Sequence, residues 1–471
     1  MEIDYIRLDR QQLGCNRFFD ADCKGALVYA TGVGKTYTAI LIIKKMFSLF
    51  PNTNITLLVP SDITYQQWTK EIETSFNKKQ QGLIYLFTPH QIINRDIKIK
   101  TDFLIVDELH EFYTEEYIKC INGTLIQFGK NLGLTANYED SKNRQKSIET
   151  IFPVIDKIDE AEAIAKGFIS ACKEFNLSIA LTEKEKEDYQ SYSNAISKNL
   201  SKFGGNLELA LKCLSGGNHN GVPMTASQFV FGWAKHKGWN NKMDMTLTTN
   251  VEIDAVWNPG LIFGYAKHLM SAIKKRKDLV YNAENKFQII KNIFFNYPDY
   301  KSIIFSQSTD FADRLNRVLN EYNPDSSVVY HSKLKTELRP GKTGKLLKFG
   351  KARLKKEALT KIKTGEALRL CTASSLDKGF DEPSIVLGIT ASGHSGFVQY
   401  NQRNGRVKRK IKNDDGTILL INLYCENTKE KDWLTKRQSK VKHPINWVDD
   451  YNDINLEYIN KPKFTFNTKD L

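Results

Sequence analysis

Between residues 25 and 136, short and nearly continuous apolar runs alternate with longer stretches whose apolar positions recur every three to four residues. GALVYA, NITLLVP, GLIYLFT, TDFLIVDE and NLGLTA read as strands, and KTYTAILIIKKMFSLF and ITYQQWTKEIETSF as amphipathic helices. Strands that are apolar on both faces and separated by helices predict a parallel sheet covered on both sides, with any ligand beyond the carboxyl ends of the strands. The pattern returns near the other end. KSIIFS, SSVVYH, LRLCTA, PSIVLGIT and TILLINLY read as strands, with helices over STDFADRLNRVLNEY, over residues 345 to 363 and over GFVQYNQRNGRVKR. The fold class is α/β, with two parallel sheets in tandem.

Residues 183 to 284 are polar and helix-compatible, broken by the glycine-rich LSGGNHNGVP at 214 to 223, and predict a helical insertion. ACKEFNLSIALT, residues 171 to 182, reads as a first strand of the second sheet placed before that insertion. The expected division is a first domain over 1–168, a second over 169–440 interrupted at 183–284, and a polar, aromatic tail over 441–471. No tandem repeat of 20 to 50 residues is present.

Composition narrows the class. A chain of 471 residues supports two or three cores. It has no window of 18 consecutive apolar residues, so no membrane span is expected. The N-terminal MEIDYIRLDRQQ lacks the apolar core of a signal peptide, so a cytoplasmic location is expected, the host cytoplasm if the source is viral. The seven cysteines form no CxxC and no cluster at zinc spacing, and read as reduced thiols. The net charge of +14 favours a polyanionic partner. Residues 331 to 363 hold ten lysines and two arginines against two glutamates, either a basic strip facing that partner or a solvated helix face.

The chemistry concentrates in two short segments. Thr31, Gly32, Val33, Gly34, Lys35 and Thr36 read TGVGKT between a strand and a helix, the setting of a phosphate loop. Glycines let backbone N–H groups turn inward, Lys35 would reach the β- and γ-phosphates, and Thr36 would ligate Mg²⁺. The full form of this loop has glycine at position 29, where the chain has Tyr29. FLIVDELH ends a strand with an acidic pair: Asp107 would hold the metal and Glu108 would polarise an attacking water.

The TGxGKT loop, the DELH box and YNQRNGRVKR at 400 to 409 together resemble a superfamily 2 helicase or translocase of the DExH type, similar to phage and bacterial DNA helicases and to type III restriction motor subunits. The resemblance spans residues 7 to 435, with the insertion outside it. It implies two RecA-like domains with ATP and Mg²⁺ between them. It also implies that Gln11 of RLDRQQ reads adenine and that His110 belongs to the nucleotide-binding box. Gly379 and Asp381 of CTASSLDKGFDEP would approach the ribose. Gln402, Arg406 and Arg409 match QxxGRxxR, whose guanidinium groups would neutralise charge on the γ-phosphate from the second domain. LLVPSDITYQQW and FTPHQI resemble strand-contacting motifs. SIIFSQS resembles a further family motif, and GLTAN a coupling motif whose usual ending, TAT, is altered at Asn137.

The implied function is an ATP-dependent nucleic-acid motor contacting its strand mainly through phosphates, with DNA favoured over RNA by the forms DELH, LTAN and QRNGRVKR. The alternatives are an RNA helicase and an ATP-switched binding module without unwinding. A P-loop kinase is disfavoured by the second α/β domain. The insertion 183–284 is the candidate surface for a protein partner.

Overall fold

The computed structural model describes residues 5–139, 143–239, 253, 255–340, 346–373, 382, 384–393, 396, 400, 403–405, 407, 418–439, 441 and 443–454. Two compact units divide the chain: residues 1–177, 293–423 and 432–471 form one, and residues 178–292 with 424–431 the other.

The first unit holds both large sheets. Its first sheet contains β1 (Lys24–Tyr29), β2 (Ile55–Leu58), β3 (Ile84–Phe87), β4 (Ile99–Asp107), β5 (Ile126–Thr135) and β6 (Val154–Ile158). They lie in the order β3-β2-β4-β5-β1-β6 and pair in parallel throughout. The continuous apolar runs have a direct cause. Phe103 and Ile105 of β4 join one buried cluster, while the alternating Leu104 and Val106 join another on the opposite face. The first cluster is roofed by α1 (Tyr5–Asp20), α2 (Lys35–Leu49) and α3 (Asp62–Ser75) through Phe18, Phe47 and Trp68. The opposite face is filled by Phe112, Ile148 and Phe152, among others. Helix α3 starts where the Ser61 hydroxyl accepts the Thr64 N–H.

The segment predicted as an early strand of the second sheet is β7 (Cys172–Ile179). With β10 (Ser302–Ser306), β11 (Ser327–His331), β14 (Arg369–Ala373), β15 (Leu387–Thr390), β16 (Ile418–Cys425) and β17 (Ile445–Val448) it makes a seven-stranded sheet, order β11-β14-β10-β15-β16-β7-β17. Strands β10, β14, β15 and β16 are buried along their whole length.

Three stretches differ from the pattern reading. The region expected as one basic helix from 345 begins instead with an antiparallel hairpin, β12 (Glu337–Pro340) against β13 (Leu346–Phe349), and the helix occupies Lys351–Thr364. Arg339 and Arg353 both stack on Phe349, and Arg339 also pairs with Glu337 and Glu357, so part of the basic charge holds this hairpin together. The aperiodic end of the chain supplies β17, an edge strand of four residues with half-buried ends, too short to show a period. Helix α1 lies outside the pattern reading: its buried stripe is Arg10, Gln11, Gly14, Cys15 and Phe18, where charged, polar and small residues take most of the positions that apolar side chains would mark.

The second unit is helical, as expected for the insertion. Helices Glu183–Ser201, Leu207–Ser215, Ala226–His236 and Pro259–Tyr281 bury Phe203, Phe229, Ile262 and Leu269 among them, and a short hairpin, β8 (Gly217–His219) with β9 (Val222–Met224), forms at the glycine-rich break. Within the same unit the fully buried Lys286 Nζ pairs with Glu430 Oε2 at 2.7 Å.

Candidate functional site

Strands β4, β5 and β1 are neighbours, and their register places their carboxyl ends side by side: Asp107 lies opposite Leu134, and Thr135 opposite Val28. Three of the segments singled out by sequence, TGVGKT, DELH and LTAN, therefore leave the sheet at one edge, where an α/β sheet binds its ligands.

In the TGVGKT loop, Gly32 and Gly34 have φ of 96° and 105°, values that favour glycine, and Gly34 caps α2. Val33 N–H bonds back to Ala30 O, closing a tight turn, and Lys35 Nζ donates to Tyr29 O at 3.3 Å. The loop thus presents backbone N–H groups and a lysine at a helix N-terminus, a donor set suited to a polyphosphate. Gln11 on α1 is buried, and its Nε2 donates to Val33 O at 3.1 Å. A side chain at Gly34 would collide with that amide.

The acidic box is equally specific. Trp68 Nε1 donates to Asp107 Oδ2 at 2.8 Å, and the N–H of Glu108 donates to Asp107 Oδ1 at 3.0 Å. Burial, together with the neighbouring Glu108 charge, pushes the Asp107 carboxyl up to about 6, although Trp68 and Lys35 draw it down. Glu108 sits in the left-handed region at φ 49°, a conformation that costs energy for a non-glycine residue and turns the box sharply out of the strand. His110 Nδ1 lies 3.0 Å from Thr135 Oγ1, and that oxygen accepts the N–H of Asn137 at 3.1 Å. His110 thereby connects the box to the LTAN segment, and the bond engages Asn137 through its main chain. Asp107 and Thr36 offer the hard oxygen donors that Mg²⁺ takes, so the residues present fit that ion.

Tyr29, the unexpected residue of the loop, is fully buried, and its hydroxyl donates to Asp156 Oδ2 at 2.6 Å. Arg10 forms a bidentate pair with the same carboxylate at 2.6 and 2.8 Å, and Arg17 joins it. Burial would raise Asp156, but Arg10, Tyr29 and Arg17 outweigh it and hold the carboxyl below its ordinary range. Gly14 on α1 leaves the space that the Tyr29 ring fills. Sequence reasoning missed Arg10 and Asp156, since a buried charge in a short strand reads as an interruption.

From the second sheet, the described residues 403–405 and 407 are helical. Arg403 is buried, with Nη1 donating to Ser392 O at 3.2 Å and its guanidinium over the Phe305 ring, which anchors this segment beyond β10 and β15. Gly405 packs against Thr31 of the TGVGKT loop. Gln402, Arg406, Arg409, Gly379 and Asp381 lie outside the described residues.

Elsewhere in the first unit Glu160, Cys172 and His443 converge, a donor set the sequence spacing gave no sign of. His443 Nδ1 faces Glu160 at 3.3 Å and Nε2 faces the buried Glu174 at 2.7 Å. Both ring nitrogens are therefore engaged by carboxylates, which suits an imidazolium rather than a metal-bound imidazole. Burial opposes the charge, but contacts with Cys172, Glu160 and Glu174 raise His443 to about 11.

Comparison with known proteins agrees with this arrangement. Residues 8–140 match the family described as "Type III restriction enzyme, res subunit". The "DNA 3'-5' translocase XPB2" of Sulfurisphaera tokodaii is 24% identical over 437 residues, covering 90% of this chain and 83% of that protein. "Nucleoside triphosphatase I" of Heliothis armigera entomopoxvirus is 24% identical over 180 residues, 31% of this chain and 25% of that protein. The crystal structure of the Pyrococcus furiosus Hef helicase domain superposes with a TM-score of 0.52 at 16% identity, covering 90% of this chain and 97% of that one. Two parallel sheets in tandem, interrupted by a helical insertion, thus give this chain the fold of the Hef helicase domain, and its sequence is similar to restriction-subunit and XPB-type proteins.

Proposed function

We propose that this protein is an ATP- and Mg²⁺-dependent motor that moves along DNA and unwinds or remodels it. The observation that carries the reading is the approach of Gly405 to Thr31, which sets a segment of the second sheet against the TGVGKT loop of the first. In this reading Lys35 and the loop N–H groups bind the phosphates, Thr36 and Asp107 hold Mg²⁺, and Glu108 polarises water. The ion, when bound, supplies charge neutralisation at the phosphates. Arg406 and Arg409, which follow Gly405 in sequence, serve as arginine fingers, with Gln402 before them and Gly379 and Asp381 toward the ribose. His110 carries the state of the site to Thr135 and Asn137.

Hydrolysis does work if the γ-phosphate favours the closed arrangement of the two sheets and its loss releases that bias. The helix Lys351–Thr364 buries Leu354, Ala358 and Ile362 and exposes Arg353, Lys356 and Lys363 on the opposite side, a basic face suited to a phosphate backbone. DNA as the track is supported by the forms DELH, LTAN and QRNGRVKR and by the likeness to a protein described as a DNA translocase.

The test is ATP hydrolysis at fixed salt with single-stranded, duplex, forked and four-way DNA and with single-stranded RNA, for the wild type and Lys35→Ala. DNA-stimulated turnover lost in Lys35→Ala is expected. Rates no higher with any nucleic acid than without one end the motor reading, and stronger stimulation by RNA transfers it to RNA.

A further inference from the structure

Asp156 touches neither the TGVGKT loop nor the acidic box, yet it binds the two elements that meet at the loop. Strand β6 pairs with β1, and a bulge between Ala26 and Leu27 skips Ile155 and sets Asp156 opposite Leu27. The skip turns Asp156 toward the face of β1 that carries Leu27 and Tyr29, beneath α1. There one carboxylate accepts from Tyr29, the residue two positions before Thr31, and from Arg10, the residue before Gln11. Tyr29 O in turn accepts Lys35 Nζ, and Gln11 Nε2 donates to Val33 O. The side chain of Asp156 is fully buried and that of Arg10 nearly so.

We infer that Asp156 is a positioning residue for nucleotide recognition: through Tyr29 and Arg10 it fixes the phosphate loop and the Gln11 helix in one geometry, so that loop and glutamine engage the nucleotide as a unit. The inference rests on the nucleotide-binding reading above. A carboxylate that accepts from Arg10, Arg17, Tyr29 and the Lys157 N–H is a rigid joint, because every bond to the shared acceptor fixes the geometry of the others. A loosened joint lets the Gln11 amide and the loop drift apart, which weakens binding before it affects the chemical step.

The experiment measures the Kd of a fluorescent ATP analogue with Mg²⁺, kcat at saturating ATP, and Tm, for the full chain and its variants Tyr29→Phe, Asp156→Asn, Gln11→Ala and Tyr29→Phe/Gln11→Ala. Tyr29→Phe deletes one hydroxyl and keeps the Arg10 pair, so it reports even if Asp156→Asn does not fold. The expected result is a rise in Kd of about tenfold for Tyr29→Phe, because loop and Gln11 must then be ordered at the expense of binding. The fall in kcat should be smaller than the rise in Kd, and Tyr29→Phe should add little once Gln11→Ala is present. An unchanged Kd in Tyr29→Phe, or effects of Tyr29→Phe and Gln11→Ala that add in full, overturns the inference. A wild type that binds no nucleotide overturns the nucleotide-binding reading itself, and the inference with it.

Discussion

Gly405 and Thr31 meet so closely that a Cβ on the glycine would stand 2.5 Å from Thr31 Cγ2 and 2.6 Å from its Cβ. Nothing larger than hydrogen fits at that approach without displacing the TGVGKT loop. Gly405→Ala is therefore expected to slow hydrolysis ten- to a hundredfold, as an overpacking cost of about 1–3 kcal/mol implies, while ATP binding stays within about threefold. Parallel kcat and Kd measurements check it. A loss confined to Kd would place the defect in the loop rather than in the approach.

The Asp107 carboxyl, raised by burial and by Glu108 to about 6, must be ionised to hold a cation. Its ionised fraction falls as pH drops through that value, so ATPase activity at low Mg²⁺ should show an acid limb near pH 6 that moves lower as Mg²⁺ rises. Trp68→Phe removes a hydrogen bond that favours the ionised form, and the limb should move to higher pH. Rate against pH at two Mg²⁺ concentrations reads both effects.

Glu108→Gln keeps the size of the side chain and removes its basicity. Hydrolysis should fall by about 10²–10⁴-fold with nucleotide affinity retained, which single-turnover phosphate release and equilibrium binding separate. Retained turnover would assign the base elsewhere.

The pair of His443 and Glu174 makes a stability prediction with a defined sign. The imidazolium is favoured in the folded state, with its value raised from 6.5 to about 11, so its contribution is complete below pH 6.5 and declines as pH rises toward 11. His443→Gln should destabilise the protein by about 2–3 kcal/mol near pH 6, since the buried Glu174 carboxylate keeps the donors Tyr400, Asn422 and Gln438 but loses its cationic partner, and the difference should shrink by pH 10. Denaturant unfolding at the two values is the measurement, and a difference independent of pH would refute the charged pair.

The layered sheets were legible because β1, β2, β4, β10, β14 and β16 are buried on both faces and announce themselves as apolar runs. The loop and the acidic box were legible because glycine, lysine and carboxylate at fixed spacing leave few other uses. Tyr29 was not, since its reason lies on Asp156, a residue far along the chain whose strand carries a buried charge where apolar alternation was sought. Asn137 was opaque for a different cause: the bond to Thr135 uses its main-chain N–H, which leaves no mark in residue type. The hairpin Glu337–Pro340/Leu346–Phe349 was hidden by lysines that any helix would also accept.

The place of β7 in the second sheet bears on how the chain is assembled at the ribosome. Its two neighbours, β16 and β17, are the last strands among the described residues, whereas β7 precedes the helical unit. During synthesis both hydrogen-bonding edges of β7 stay unpaired until residues 418–448 have emerged, so the second sheet closes last and by distant contacts, the slow kind. Truncation before Ile418 would leave that strand open on both edges and liable to pair with another chain.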